Sequence, residues 1–392
     1  MIESPLSILL VGDYPDDPRL GSSKVFYKLR EEFEALGHTC DILWAPDIGA
    51  RPAWRQVRQL ISPWMAAKAI VRQMARRRYH VVDAASAEGL FLGLVGLLGD
   101  RDRAAFVARS NGLEHLNYAR MLDDHFEGLR RKSWVRRIWY PASRLSQVAA
   151  AARLADGLIL LTDVDRAFAL DRGWQPPERV TVVPHGISAR FLAEAPAADA
   201  PRGAGMLFCG TWGHMKGISY LCAAMNRLHA LGNPVRLTVL GPGAPREIVL
   251  DMFEPAVRPF VTVIDRVPED RVMAEYRRHD ALLFASTYEG FGLVVIEAMS
   301  QRLPVIATPA GCAATLIRDG ETGLVVPARD PDALAAAIAR LAAHPQEGRR
   351  MAGNAAARVA GMTWRATAER TLDLYRSAVA ARARVDTARA RR

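Results

Sequence analysis

The chain has 392 residues, more than one hydrophobic core ordinarily serves, so two domains are expected. Half of the residues are hydrophobic and 24% are charged, which excludes a disordered or fibrous chain. An excess of 52 Lys and Arg over 42 Asp and Glu gives a net charge of +10, but no helix-turn-helix, zinc-finger or RNA-binding signature accompanies it, so no nucleic-acid partner is expected.

Residues 1–12 have no basic leader ahead of their apolar run, and Cys40, Cys209, Cys222 and Cys312 form no Cys-x-x-Cys pair. Both features point to reduced thiols in a cytoplasmic protein. The longest apolar stretch, Gly89 to Gly99, is too short to cross a bilayer.

Ser7 to Gly12 reads as a strand, followed by the loop Asp13–Ser23, a helix from about Lys24 to Leu36, and a second strand, CDILWAP. This order opens a doubly wound α/β domain, and its first loop lies where such sheets place ligands. Gly21 allows close backbone approach at the helix start. No GxxxxGK[ST] phosphate loop is present. Trp54 to Tyr79 is an arginine-rich helical stretch, and Val81-Val82-Asp83 begins another strand. Phe106 to Ala108 is a strand leading into RSNGLEH, Arg109 to His115, where Asn111 can hydrogen-bond a hydroxyl but cannot carry a proton.

Phe126 to Arg144 carries Arg130, Arg131, Lys132, Arg136, Arg137 and Arg144 among Trp134, Ile138, Trp139 and Tyr140. Its helical spacing supports two readings: a surface helix with inward tryptophans, or a contact for an anionic membrane or acceptor. Leu158 to Leu161 is a strand, TDVDRAFALDRGW a helix, and Val180 to Ile187 closes a first domain of residues 1–192. Ala193 to Gly205, rich in Pro and Ala, reads as the linker.

A second domain, 206–362, opens with the strand Met206–Gly210, the loop TWGHMKG and a helix from Ile218. Lys216 follows a strand, where an ammonium can meet a diphosphate. Val235 to Gly243 is a strand and glycine turn. Ala281 to Glu297, ALLFASTYEGFGLVVIE, is the most informative stretch of the chain. It reads as a buried strand to Ser286, a turn made pliant by Gly290 and Gly292, and a helix from Leu293. The first turn of that helix aims unpaired N–H groups and the positive end of its dipole over the strand end, a site for an anion. Glu289 in the turn and Glu297 in the helix supply carboxylates that accept from sugar and ribose hydroxyls. Leu324 to Pro327 is a late strand and Pro331 to Ala342 a helix. A last helix runs from Trp364 to about Ala383, beyond which the chain is expected to fray.

The Glu–seven residues–Glu spacing with GFGL inside it, and the continuation from Ser300 to Ile338, resemble the signature of the retaining glycosyltransferases of family 4. The resemblance implies the α/β GT-B fold, two Rossmann-like doubly wound domains facing across a cleft, with the helix at about 364–383 packed back on the acceptor-side first domain. It implies Glu289, Lys216 and Asn111 as catalytic residues. Gly21, Gly210, Thr211, Gly290, Phe291, Gly292, Leu293 and Glu297 would bind substrate, Gly21 in a loop between donor and acceptor. No metal or cofactor is implied, since the nucleotide diphosphate sugar is a substrate. The partners implied are that donor and a glycan or a lipid-linked or phosphorylated acceptor. The basic first domain adds a cytoplasmic location with peripheral contact at an anionic inner membrane face.

Three positions depart from the family pattern. Thr211 stands where an arginine is expected, Asn111 where a histidine is expected, and His185 where an asparagine is expected; His115 is a second candidate for the missing histidine. Asp100-Arg-Asp102, Asp163-Val-Asp165 and Asp330-Pro-Asp332 read as helix caps and loops, not metal-binding pairs. The rival readings are sugar-nucleotide epimerisation or phosphorolysis on the same fold, and a non-catalytic binder of polyanions or nucleotide sugars.

Overall fold

The computed structural model describes residues 4–49, 55–97, 104–126, 134–197 and 199–390. The chain divides into two compact units, residues 1–185 with 364–392, and residues 186–363. Asp100-Arg-Asp102 and Arg130 to Lys132 lie outside the described residues, as do the side chains of Trp134 and Arg136.

The first unit holds six parallel strands: β1 (Ser7–Val11), β2 (Thr39–Leu43), β3 (Val81–Ala85), β4 (Ala105–Arg109), β5 (Gly157–Leu160) and β6 (Val180–Val182). Their spatial order is β2-β1-β3-β4-β5-β6, so the winding reverses between β1 and β3. Strands β3, β4 and β5 are buried at every position, as expected for a sheet with helices on both faces. Two of those buried residues are charged. The Arg109 guanidinium donates to Asp83 from Nε at 2.9 Å and from Nη2 at 2.6 Å, and both side chains are fully buried. The Tyr375 hydroxyl, on the last helix, donates to the same carboxylate.

That helix spans Trp364–Ala390 and belongs to the first unit. Tyr375 packs on Phe33 with ring centroids 5.8 Å apart, and Leu374 sits over Gly157, where a Cβ would lie 3.2 Å from it. The helix continues past Ala383, where fraying was expected. Its alanine- and arginine-rich sequence favours the helical state by intrinsic propensity.

The second unit holds β7 (Met206–Cys209), β8 (Leu237–Leu240), β9 (Val261–Ile264), β10 (Ala281–Phe284), β11 (Val305–Ala307) and β12 (Leu324–Val325). All pairings are parallel in the order β12-β11-β10-β7-β8-β9. The chain winds outward from β7 through β8 to β9, then returns to the other side of β7 with β10. The reversal between β7 and β10 opens a crevice at their carboxyl ends, the place where doubly wound sheets bind ligands.

The Pro/Ala-rich stretch expected to be a linker falls inside this second unit, and its Arg202 is an anchor. The guanidinium donates to the carbonyls of Tyr276, Arg277 and His279 at 2.7–3.0 Å, and to those of Gln301 and Arg302 at 2.9 and 2.8 Å. It thereby caps the carboxyl ends of helices Glu269–Arg278 and Leu293–Ser300, whose last carbonyls lack intrahelical partners. Burial pushes its pKa down to about 10. Among the described residues no helix is long and apolar enough to cross a membrane.

Candidate active site

The crevice between β7 and β10 is closed by two loops that pair through their backbones. Thr287 N–H donates to the Met215 carbonyl at 2.8 Å, which fixes the loop after β10 against the loop after β7. Gly217 makes that approach feasible. Its φ of +70° is left-handed, and a Cβ there would lie 1.9 Å from the Ala285 carbonyl oxygen. No other residue fits both conditions.

Pairing of the loops brings the Lys216 ammonium onto the Glu289 carboxylate as a hydrogen-bonded ion pair, and both side chains keep partial exposure, 30% and 17%. These groups are 73 residues apart in sequence. Gly292 follows with φ +95°, and the helix Leu293–Ser300 starts there with no side-chain cap. A Cβ on Gly292 would come within 3.2 Å of Phe284 and 3.4 Å of the Glu289 Cγ. Val295 N–H is taken by the Gly292 carbonyl at 2.9 Å, and the Leu293 and Val294 N–H groups at the helix start lie beside the same crevice as Lys216 with no side-chain oxygen capping them.

The remaining predicted residues have varied settings. Phe291 is buried and its carbonyl accepts from Cys312 N–H at 2.7 Å, so it props the turn, while Gly290 lies in the bend before it. Glu297 is also buried, and its carboxylate accepts from the Tyr276 hydroxyl at 3.1 Å. Burial pushes the Tyr276 hydroxyl pKa well up, so it keeps its proton and remains a donor. The two glutamates of the signature are thus held by different partners, Lys216 and Tyr276. Gly210 has φ +134° with open space around it, and Thr211 is exposed on the same loop. On the carboxyl edge of the sheet, the exposed Arg266 lies over the turn after β8, where a Cβ on Gly243 would sit 2.5 Å from its Nη2.

In the first unit, Gly21 opens the helix Gly21–Ala35, and a Cβ there would meet nothing within 4 Å, so the structure shows no close approach at that residue. Asn111, just past β4, donates from Nδ2 to the Tyr14 hydroxyl at 3.1 Å, in the loop after β1. His115 lies elsewhere, between Trp174 and Phe168 with ring centroids 4.8 and 5.7 Å away, and burial lowers its pKa to about 4. It is a packing residue in an aromatic cluster. His185 is buried against Trp364, with a pKa pushed down to about 3 by burial. Asp165 lies in the first turn of its helix, and Asp330 caps the helix Pro331–Ala343 by accepting from Ala333 N–H at 2.9 Å.

Sequence reading missed a polar cluster at the carboxyl edge of the first sheet. Arg144 is nearly buried there and donates to Glu88 at 3.1 Å and Ser86 at 3.0 Å, with Glu114 at 3.8 Å. The only sequence signal was charge within apolar context, Glu88 beside the Gly89–Gly99 run.

Two doubly wound parallel sheets in one chain, each with its loops gathered at a reversal of winding, define the GT-B class of fold. Sucrose-phosphate synthase from Thermosynechococcus elongatus has it, with a TM-score of 0.78 over 96% of this chain and 100% of that one at 23% identity. HepE of Anabaena, solved in complex with UDP and glucose, has it too, with a TM-score of 0.65 over 94% and 98% at 15% identity. Residues 203–344 match the family described as glycosyl transferases group 1. A D-inositol 3-phosphate glycosyltransferase of Kineococcus radiotolerans is 31% identical over 62% of this chain and 62% of its own length. Another from Nocardia farcinica is 29% identical over 79% and 70%. An MMP alpha-(1->4)-mannosyltransferase of Mycolicibacterium hassiacum is 28% identical over 64% and 60%. The chain thus spans about three fifths of the first of these relatives.

Proposed function

We propose that this protein is a retaining glycosyltransferase that moves a sugar from a nucleotide diphosphate donor to an acceptor hydroxyl without a metal ion. The observation that carries this reading is the Lys216–Glu289 pair at the mouth of the crevice between β7 and β10, beside an uncapped helix start. As the glycosidic bond breaks, negative charge gathers on the leaving diphosphate. The Lys216 ammonium and the N–H groups at the start of helix Leu293–Ser300 stabilise that charge where it develops. They do the work a divalent ion does in other transferases.

Glu289 accepts hydroxyls of the donor sugar and orients Lys216. Glu297, steadied by Tyr276, supports the ribose end from within the helix. On this reading retention follows a front-face route, in which a leaving phosphate oxygen takes the proton of the incoming acceptor hydroxyl. The match of residues 203–344 to glycosyl transferases group 1 and the names of the similar curated proteins support the reaction class.

The test is release of nucleoside diphosphate from a donor first selected by thermal shift over a nucleotide-sugar panel. Lys216→Ala and Glu289→Gln are each expected to lower turnover by about 100-fold, the scale of losing one charge-stabilising donor. Turnover should persist in chelator, and the product should keep the anomeric configuration of the donor. Unchanged turnover in either variant would overturn the site. Free sugar-nucleotide products formed without an acceptor would point to epimerisation instead.

Peripheral membrane contact belongs to the same reading. Ile138 is 66% exposed and Trp139 44% exposed beside Arg137, so this helix turns an apolar face to solvent. Binding to anionic vesicles in preference to neutral ones is the expected result.

A further inference from the structure

The cluster at the carboxyl edge of the first sheet has a charge balance that restricts what can dock there. Arg144 lies in the π-helical turn Pro141–Leu145, Glu88 and Ser86 follow β3, and Glu114 opens the helix after β4. The guanidinium is already engaged. Nη2 donates to Ser86 at 3.0 Å and Glu88 at 3.1 Å, and Nη1 donates to the Ser62 hydroxyl at 3.3 Å. Glu114 lies 3.8 Å from Nη2 and accepts from Ser86. One positive charge is therefore set against two carboxylates. The side chains keep only 12%, 2% and 21% exposure, so water screens them weakly.

Asn111 and Tyr14 stand beside the cluster on the loops after β4 and β1. The Asn111 Nδ2 is used on Tyr14, while its Oδ1 is buried with no hydrogen-bond partner among the described residues. A buried amide oxygen without a partner calls for a donor. The cluster thus presents mainly acceptors, carboxylate oxygens and one unpartnered amide oxygen, on the loops of the reversal between β1 and β3.

We propose that this edge binds the acceptor as an uncharged or amine-bearing polyhydroxyl and excludes phosphate esters. The inference rests on the glycosyltransferase reading, in which the first unit holds the acceptor. Hydroxyl and ammonium groups donate, and they match oxygens that can only accept. A phosphate dianion brings three further acceptor oxygens and up to two negative charges against a site that is already net negative. Arg144, the group that would otherwise receive it, already donates to Glu88, Ser86 and Ser62.

The test is isothermal titration calorimetry on the full chain with matched probes: glucose, glucosamine and glucose 6-phosphate, then myo-inositol and D-inositol 3-phosphate. The uncharged or amine-bearing member of each set is expected to bind at least tenfold more tightly than its phosphate ester. Glu114→Gln is expected to improve phosphate-ester binding at least tenfold, because it removes one charge and keeps the shape. Glu88→Gln serves as a second variant, with far-ultraviolet circular dichroism confirming that each is folded. Phosphate esters binding as well as or better than their uncharged partners, no binding by any probe, or no gain in either folded variant would each overturn the proposal. Donor binding, read separately by thermal shift and its loss in Lys216→Ala, reports on the second unit. A failure of the acceptor inference is thereby distinguished from a failure of the transferase reading.

Discussion

Gly217→Ala tests whether the site exists because two loops touch. The substitution meets two obstacles of different origin. A left-handed φ of +70° costs an L-residue roughly 1 kcal/mol. The new Cβ would also lie 1.9 Å from the Ala285 oxygen, a backbone atom that cannot swing away as a side-chain end could. Forcing a methyl into such a place costs about 1–3 kcal/mol further. The total is about 2–4 kcal/mol, and relief requires the loop after β7 to retreat from β10, which parts Lys216 from Glu289. Gly232→Ala supplies the control, since φ there is +76° and a Cβ meets nothing within 4 Å; it should lose only about 1 kcal/mol. Because a two-unit chain need not unfold in one step, the readout is hydrogen exchange of β7 and β10 amides across a urea series. The donor-induced thermal shift should fall in Gly217→Ala and persist in Gly232→Ala. Equal losses in the two variants would refute the reasoning, because the close approach to Ala285 would then carry no energy.

Asp83→Asn leaves the Arg109 guanidinium buried without its counter-charge and should destabilise the first unit by about 3–5 kcal/mol, measured by urea unfolding. Tyr276→Phe deprives the buried Glu297 of a hydrogen bond; a loss of about 1–3 kcal/mol is expected in chemical denaturation of the second unit. Acid should weaken the fold through His115, whose pKa of about 4 in the folded state lies below its ordinary value near 6.5. Between those values the unfolded chain binds more protons, so stability is full above pH 6.5 and falls as pH drops towards 4. His115→Phe should flatten that part of the stability profile, and the slope that remains down to about pH 3 is assigned to His185.

Much of the second unit was legible because its signals are local. The apolar run Ala281–Phe284, the glycine turn and the helix from Leu293 lie consecutively in the chain, and each announces its own conformation. The Glu289 and Lys216 candidates were readable for the same reason, each standing in the loop that follows a strand. Arg202 was not. A Pro/Ala-rich composition suggests a linker, and nothing in it says that one guanidinium will gather five carbonyls from residues up to 100 positions away. His115 misled for the opposite reason, since a histidine near a ligand loop looks functional until Trp174 and Phe168 are seen around it.

The sequence by itself determined the alternation of strand and helix, the two doubly wound units and the chemistry available at each strand end. Hydrophobic period, glycine position and capping residues act over a few neighbours, so they survive in a linear reading. Only the tertiary structure decided which strand ends adjoin, and hence which charges meet. Lys216 reached Glu289, Glu297 turned to Tyr276, and Arg144 found two carboxylates, because the winding of the sheets reverses where it does. Electrostatic partnership depends on distance in space, which the order of strands sets and the order of residues does not.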